Sequence, residues 1–435
     1  MKSKKNFHFF NWAKNESCVA KQYFQPETED EIVALLHQCN TEKKQLRIVG
    51  TGHSWSKICL SNEYLLNLDN YQKIIQLNKY KKQITVQAGI KICQLNKYLY
   101  NQGFSLNNLG SISAQSIAGA INTATHGSGI EHTILAGQVA SFKLITPIGK
   151  IIFLDKVKDE KQFNLTLVGL GTLGVISEIT LNISEKYHLH EQASLIDFDE
   201  VCKNVLNWIN EHEHLKLWWF PHTDKIMVYK YNRTHKPIND PPIRQFIMDK
   251  VLAKLAFTII IWLGNFKPSW RPKLNRFISK AFLNKIDRIE KNNIVFNVTM
   301  PPFHRETEWA FDIQHTEQLL KEYRNMIIEK NHTVNFVQEI RFVKGDSFAL
   351  SPCHSRNSIY VGAYHACNND WLPLFNDFEK IAFKYNGRPH WGKEFTVDKN
   401  YLQLQYPYLR EFSKLQKSLD PNGVMMNNFT EKILG

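Results

Sequence analysis

Three groups of residues in this 435-residue chain have types and spacings suited to chemistry. RIVGTGHSWS, residues 47–56, reads as a strand breaking into a turn, and its glycines at 50 and 52 expose backbone N–H groups where an anion such as pyrophosphate could sit. Alone the signal is weak, and the segment also reads as an ordinary glycine turn carrying a surface histidine. The G-T-G spacing also lacks the full G-x-G-x-x-G of a Rossmann turn, which disfavours that fold. NNLGSISAQSIAGAINTATHGSG, residues 107–129, is a second stretch dominated by small residues. It is poor core material, but it presents backbone donors and hydroxyls from Ser111, Ser113, Ser116, Thr123 and Thr125. Two such loops in one domain could clamp a long diphosphate cofactor.

The third group is HTVNFVQEIRFV, residues 332–343, whose alternation puts Val337, Glu339, Arg341 and Val343 on one strand face and Phe336, Ile340 and Phe342 on the other. Glu339 and Arg341 therefore project together, although an i, i+2 charge pair is by itself usually a solvated face. His188 with His190, His212 with His214, and Cys353 with His354 are the only seeds of a metal site. None has a zinc spacing, and no metal is predicted.

These groups need elements to hold them. From about residue 28 to 180, short β-branched runs alternate with helical segments and glycine turns, the pattern of an α/β or α+β domain. Residues 29–44 form one helix, with an acidic first turn and Ile32, Val33, Leu35, Leu36 and Cys39 along one face. Residues 91–103 form another, closed by Gly103. Beyond about 188 aromatic-rich strands take over, and a second domain begins.

Formal net charge is +13 with pI near 9.2, which admits an anionic ligand, a membrane surface or nucleic acid. The basic residues are spread along the chain without a nucleic-acid-binding signature, so nucleic acid is excluded as a partner. Seven scattered cysteines (18, 39, 59, 93, 202, 353 and 367) with no C-x-x-C fit a reducing compartment. The basic start is followed by too short an apolar stretch for a secretory signal, so a cytoplasmic location is expected. LAFTIIIWLG, residues 255–264, is too short to span a bilayer and reads first as a buried helix. Flanking Lys250, Lys254, Lys267, Arg271 and Lys273 leave open a peripheral contact with a membrane surface.

The combination of GTGHSWS, GSISAQSIAGAINTATHGSG and GTLGVISEIT resembles the FAD domain of the vanillyl-alcohol-oxidase-like flavoproteins. RPHWGKEF (388–395) and DPNGVMMNNF (420–429) extend the likeness to nearly the whole chain and bring it nearest the aldonolactone and alditol oxidases, which include gulonolactone and arabinonolactone oxidase. The resemblance implies an α+β fold: a two-subdomain PCMH-type FAD-binding domain over residues 15–187, then a substrate (cap) domain with an antiparallel sheet over 188–435. It implies FAD contacts from Ile48, Val49, Gly50, Thr51, Gly52, His53, Ser54, Gly110, Ser111, Ser116, Gly119, Thr123, Ala124, Thr125, His126 and Ile176. His126 also reads as a turn cap beside Gly127.

His53 occupies the position that in the family often carries the flavin covalently; plant galactonolactone dehydrogenases lack that histidine. By the same carry-over Glu339 and Arg341 hold substrate hydroxyls. Lys393 either stabilises charge developing at the flavin N1 and C2 carbonyl as hydride reaches N5, or helps deprotonate the hydroxyl. The implied activity is that of an FAD-linked oxidoreductase acting on CH–OH donors. Its first-choice substrate is an aldono-1,4-lactone (L-gulono-, L-galactono- or D-arabinono-), with an alditol second. Gly110, where plant dehydrogenases have alanine, points to O2 as acceptor and H2O2 as product, against a dehydrogenase using another acceptor. A non-catalytic flavin-binding protein is the rival from another class, and the joint presence of Glu339, Arg341 and Lys393 weakens it.

Overall fold

A computed structural model describes residues 1–239, 253–281, 283, 285–297, 302–366 and 370–435. Lys250, the side chain of Lys254 and Cys367 lie outside the described residues. The first half builds two small sheets. β1 (Lys2–Phe10), β2 (Ser17–Gln25), β3 (Leu46–Val49) and β4 (Tyr64–Asn67) pair in the order β1-β2-β4-β3, antiparallel between β1 and β2 and parallel elsewhere. Between β2 and β3 runs α1 (Glu29–Glu42). Thr28 caps its start, Ile32, Leu35, Leu36 and Cys39 are its buried face, and Lys43 ends it in the left-handed conformation.

β5 (Ile74–Asn78), β6 (Gln83–Gln87), β8 (Val139–Ile145), β9 (Ile151–Asp155) and β10 (Val175–Asn182) make an antiparallel sheet in the order β5-β6-β10-β8-β9. β7 (Phe104–Ser105) pairs with β11 (Ser184–Glu185). α2 (Ile92–Asn101) precedes Gly103, whose φ of +84° turns the chain out of the helix. The small-residue stretch is not loop throughout. Ile117, Ala118, Ala120 and Ile121 are buried on α3 (Ile117–Asn122), which Ser116 caps, so the short apolar residues do serve as core.

The second half is dominated by an eight-stranded sheet of β12 (His188–Asp197), β13 (His214–Trp219), β14 (Lys225–Thr234), β15 (Ile286–Lys291), β16 (His304–Asp312), β17 (Gln338–Val343), β18 (Ser358–Ala366) and β19 (Arg388–Pro389). Their order is β15-β12-β14-β13-β17-β18-β16-β19, and every pair is antiparallel. The helices Phe198–Glu211, Thr316–Glu329 and Leu372–Lys384 pack together beside it. β17 and β18 are buried along their whole length.

The strand at β17 begins only at Gln338, shorter than the alternation over 332–343 predicts. Phe336 and Val337 instead pack against the helix Ala253–Phe266. That helix is not buried as expected, since Leu255, Ile259, Trp262 and Phe266 stand exposed.

The later residues return to the first sheets. Leu46 N donates to Val424 O (2.8 Å), and the Asn427 amide donates to the carbonyls of Lys57 (2.9 Å) and Leu60 (2.8 Å).

Candidate active site

A cleft opens between the two small sheets. It is lined by Ile48, Val49, Gly50, Thr51, Gly52, His53 and Ser54 from the turn after β3, by Ser116, Gly119 and Thr123 from α3 and its ends, and by Ile176 from β10. The two loops predicted to act together do meet. A Cβ on Gly50 would lie 3.0 Å from Ser116 Oγ, so glycine is what lets them close. At Gly52, φ is +75° and a Cβ would press on the backbone of Asn11 and Trp12, so the turn depends on glycine twice over.

Arg47, Asp69, Gln115, Asn122 and Gly171 also line it. Arg47, Gln115, Asn122 and Gly171 stand within the predicted cofactor segments, where nothing in their residue types marks them for the role; Asp69 comes from outside those segments, and only the fold brings it in.

His53 reaches into this cleft with a ring 5.8 Å from that of Trp12, and its Nδ1 is a buried nitrogen without a hydrogen-bond partner. Burial first, then the charges of Lys393 and Lys91, hold its pKa down at about 4, so the imidazole is neutral at pH 7. A glycine-walled cleft with exposed backbone N–H groups fits a long dinucleotide cofactor.

Gly110, Ser111, Ala124, Thr125 and His126 do not line the cleft. The structure places Ser111 and His126 against the large sheet: Arg341 Nη2 donates to Ser111 Oγ (2.6 Å) and Nη1 to the His126 carbonyl (3.2 Å). Arg341 also donates to Glu339 Oε2 (2.5 Å), whose carboxylate further accepts from Trp218 Nε1 (2.9 Å) and the Tyr364 hydroxyl (3.4 Å). Both residues are buried, so the pair is no solvated face. Burial pushes the Glu339 carboxyl up, and Arg341, Lys216 and Trp218 outweigh it and hold the pKa below the usual carboxylate value.

His126 lies flat on Tyr360, with centroids 3.7 Å apart, and its Nε2 is 3.4 Å from Glu308. Lys393 pairs with Glu306 at 2.5 Å and sits 4.1 Å over the Trp55 ring. Trp55 N in turn donates to Gly392 O (2.6 Å), and Ser56 Oγ to Trp391 O (2.7 Å), so the segment carrying Lys393 is clamped to the turn carrying His53.

Glu306 and Glu308 escaped the sequence reading. His304, Glu306 and Glu308 recur with period two along β16, a pattern ordinarily taken for a wet strand face, yet all three are buried. Burial raises both carboxyls, but Lys393 and His304 more than offset this at Glu306, and His126 and Lys393 do so at Glu308, so both stay below the ordinary value. His390, held neutral by burial and by Lys393 and His126 with a pKa of about 3, accepts from Gly392 N (3.1 Å).

Glu306, Glu308 and Glu339 thus face Lys393, Arg341 and Lys216, three buried carboxylates against three buried or half-buried cations. Glu306 Oε1 and Arg341 Nε, one acceptor and one donor, are buried without hydrogen-bond partners. Ligand-capable atoms of His126, Glu308 and His390, and of His132, Glu213 and His214, also converge within 4.8 Å. In the second group Arg233 Nε already occupies Glu213 Oε1 at 2.6 Å.

A family model described as D-arabinono-1,4-lactone oxidase matches residues 179–433, and one described as FAD binding domain matches residues 20–155. The chain is similar to an L-gulonolactone oxidase of Scyliorhinus torazame, 30% identical over 433 residues that cover 98% of each chain. It is also 30% identical to a D-arabinono-1,4-lactone oxidase of Kluyveromyces lactis, covering 98% of this chain and 96% of that one. In fold it is similar to the crystal structure of a cholesterol oxidase from B. sterolicum, with a TM-score of 0.84 over 100% of this chain and 97% of that one at 16% identity. The expected α+β class, an FAD-binding domain joined to an antiparallel-sheet domain, agrees with these matches.

Proposed function

The chain belongs to the D-arabinono-1,4-lactone oxidase family, and on that premise we propose that it oxidises a carbinol of a neutral aldono-1,4-lactone, with O2 as acceptor and H2O2 as product. The observation that carries this reading is the Glu339–Arg341 pair, buried in the large sheet and bonded across to Ser111 and the His126 carbonyl of the FAD-binding half. FAD, when bound, supplies the hydride acceptor. Glu339 accepts a hydrogen bond from a substrate hydroxyl, and Arg341 donates through its unpartnered Nε. Lys393, fixed by Glu306 and Trp55, sets a positive charge beside the turn of His53. Equal numbers of buried carboxylates and cations leave no surplus charge to neutralise an anionic sugar acid, which favours an uncharged lactone.

His53 is the proposed covalent tether to FAD, supported by its place in the cleft and its partnerless Nδ1. The flavin stays with acid-precipitated wild-type protein as a fluorescent gel band, and His53→Ala releases it; a dark wild-type band rejects the tether.

The activity is tested with a panel of gulono-, galactono- and arabinonolactones against open-chain polyols. Anaerobic bleaching of the flavin by a lactone, followed in air by H2O2 formed in step with O2 consumed, is expected. Bleaching by polyols alone, or turnover only with an artificial acceptor, overturns the corresponding half of the reading.

A further inference from the structure

The large sheet carries a cation that the catalytic reading leaves without a task. Lys216, within β13, is buried, and among the described residues its ammonium has neither an ion pair nor a hydrogen bond. Its Nζ lies instead over the rings of Trp218 (4.5 Å), Tyr229 (4.7 Å) and Tyr231 (6.0 Å). Three π faces replace part of the lost hydration but give the N–H groups no directed acceptor. Burial pulls the pKa below the usual lysine value, and the charge of Glu339 offsets this only in part. An apolar side chain of the same length would fill this cage without desolvating a charge, so packing alone does not account for a lysine here.

The register of the strands shows what the ammonium can reach. Lys216 stands directly opposite Arg341, and Trp218 opposite Glu339, so all four side chains leave the sheet on one face. Trp218 joins the two pairs, since its Nε1 donates to Glu339 Oε1 (2.9 Å) while its ring lies against Lys216. Glu306, which holds Lys393, is on β16, at the other side of Glu339 and Arg341. With neighbouring strands about 4.8 Å apart, β13 and β16 are three steps, or about 14 Å, from each other. Lys393 and the turn of His53 thus mark the flavin end of the site, and Lys216 the opposite end.

We propose that Lys216 is a specificity-determining residue, donating to an exocyclic hydroxyl at the end of the sugar lactone remote from the carbinol that is oxidised. The inference rests on the lactone reading above. A neutral oxygen is the acceptor that suits it, because the buried carboxylates and cations already balance.

Steady-state oxidation by the flavin-loaded full chain is compared between L-gulono-1,4-lactone and erythrono-1,4-lactone, which keeps the ring and its hydroxyls but has no exocyclic carbon. Lys216→Met is expected to raise KM for the gulonolactone about tenfold or more, through loss of one hydrogen bond from a charged donor, with kcat within about twofold. The constants for erythronolactone and the flavin absorbance stay as in wild type, which shows that the variant has folded. Lys216→Gln is the second variant, used if the methionine is not accommodated. Equal losses on both lactones, or none on either, overturn the assignment of Lys216 and leave lactone oxidation standing. Flavin reduction by polyols alone overturns the lactone reading instead. The comparison then passes to xylitol and glycerol, where a loss confined to xylitol supports Lys216 as the reader of the remote end and a uniform loss overturns it.

Discussion

Arg341→Lys keeps the charge and removes the geometry, and so isolates what the guanidinium does. In the native site one planar fork serves Glu339 Oε2 (2.5 Å), Ser111 Oγ (2.6 Å) and the His126 carbonyl (3.2 Å). A lysine ammonium can stay with Glu339 but cannot reach the other two from the same stem. Two hydrogen bonds from a charged donor are lost, each worth about 1.5–3 kcal/mol. Those bonds position the site; the substrate itself loses the Nε–H donor, a charged hydrogen bond worth about 1.5–3 kcal/mol, or roughly one to two decades in kcat/KM. Flavin content should not change, since Arg341 is not among the residues lining the cleft. The assay is steady-state lactone oxidation on protein normalised by flavin absorbance, with Arg341→Ala and Glu339→Gln alongside. Arg341→Lys with kcat/KM near wild type, or with flavin lost in proportion to activity, refutes the assignment of Arg341 to the substrate.

Gly110→Ala would bring a Cβ to 3.0 Å from Thr125 Cγ2 and 3.2 Å from the His126 carbonyl. It is expected to slow reoxidation by O2 about tenfold while anaerobic reduction by lactone holds. Adding Thr125→Ser removes the nearest contact, so full recovery in the double variant would trace the defect to displaced neighbours instead of to oxygen access. His390, with a folded pKa of about 3 against 6.5, is neutral in the fold, whereas the unfolded chain takes up a proton below pH 6.5. Its contribution is complete above pH 6.5 and drains away as pH falls toward about 3, amounting to about 2 kcal/mol by pH 5. Urea midpoints at pH 7 and 5 should therefore fall less in His390→Gln than in wild type; parallel losses would contradict the burial argument.

The cofactor turn was legible because its glycines perform a local task that only glycine performs, and their positions show it. Glu339 and Arg341 were legible as a pair because strand alternation fixes i and i+2 on one side whatever lies opposite. The same rule hid Glu306 and Glu308: period two reports a shared face, and nothing local says that the face is covered by another domain instead of water. The helix Ala253–Phe266 failed in the opposite sense, since an apolar run looks buried wherever it is and only the fold reveals that Leu255, Ile259, Trp262 and Phe266 are exposed. α3 was missed because its buried face is made of Ala and Ile at short range, within a segment whose glycines and hydroxyls suggest loop.

Arg47 stands at the floor of the cofactor cleft with every assigned hydrogen bond directed to main-chain oxygen: Ile58 (2.9 Å), Leu170 (2.8 Å), Gly171 (3.0 Å) and Met425. These acceptors come from three places in the chain, and the one at Met425 is made almost four hundred residues after Arg47 itself. During translation the turn of His53 therefore emerges early but stands on an unfinished foundation. A nascent chain stopped before residue 424 leaves part of a buried guanidinium without its acceptor, and leaves β3 without the Val424 carbonyl that Leu46 engages. Assembly of the cleft is in this sense post-translational, and splitting the chain into separately expressed halves would deprive the first half of its own floor.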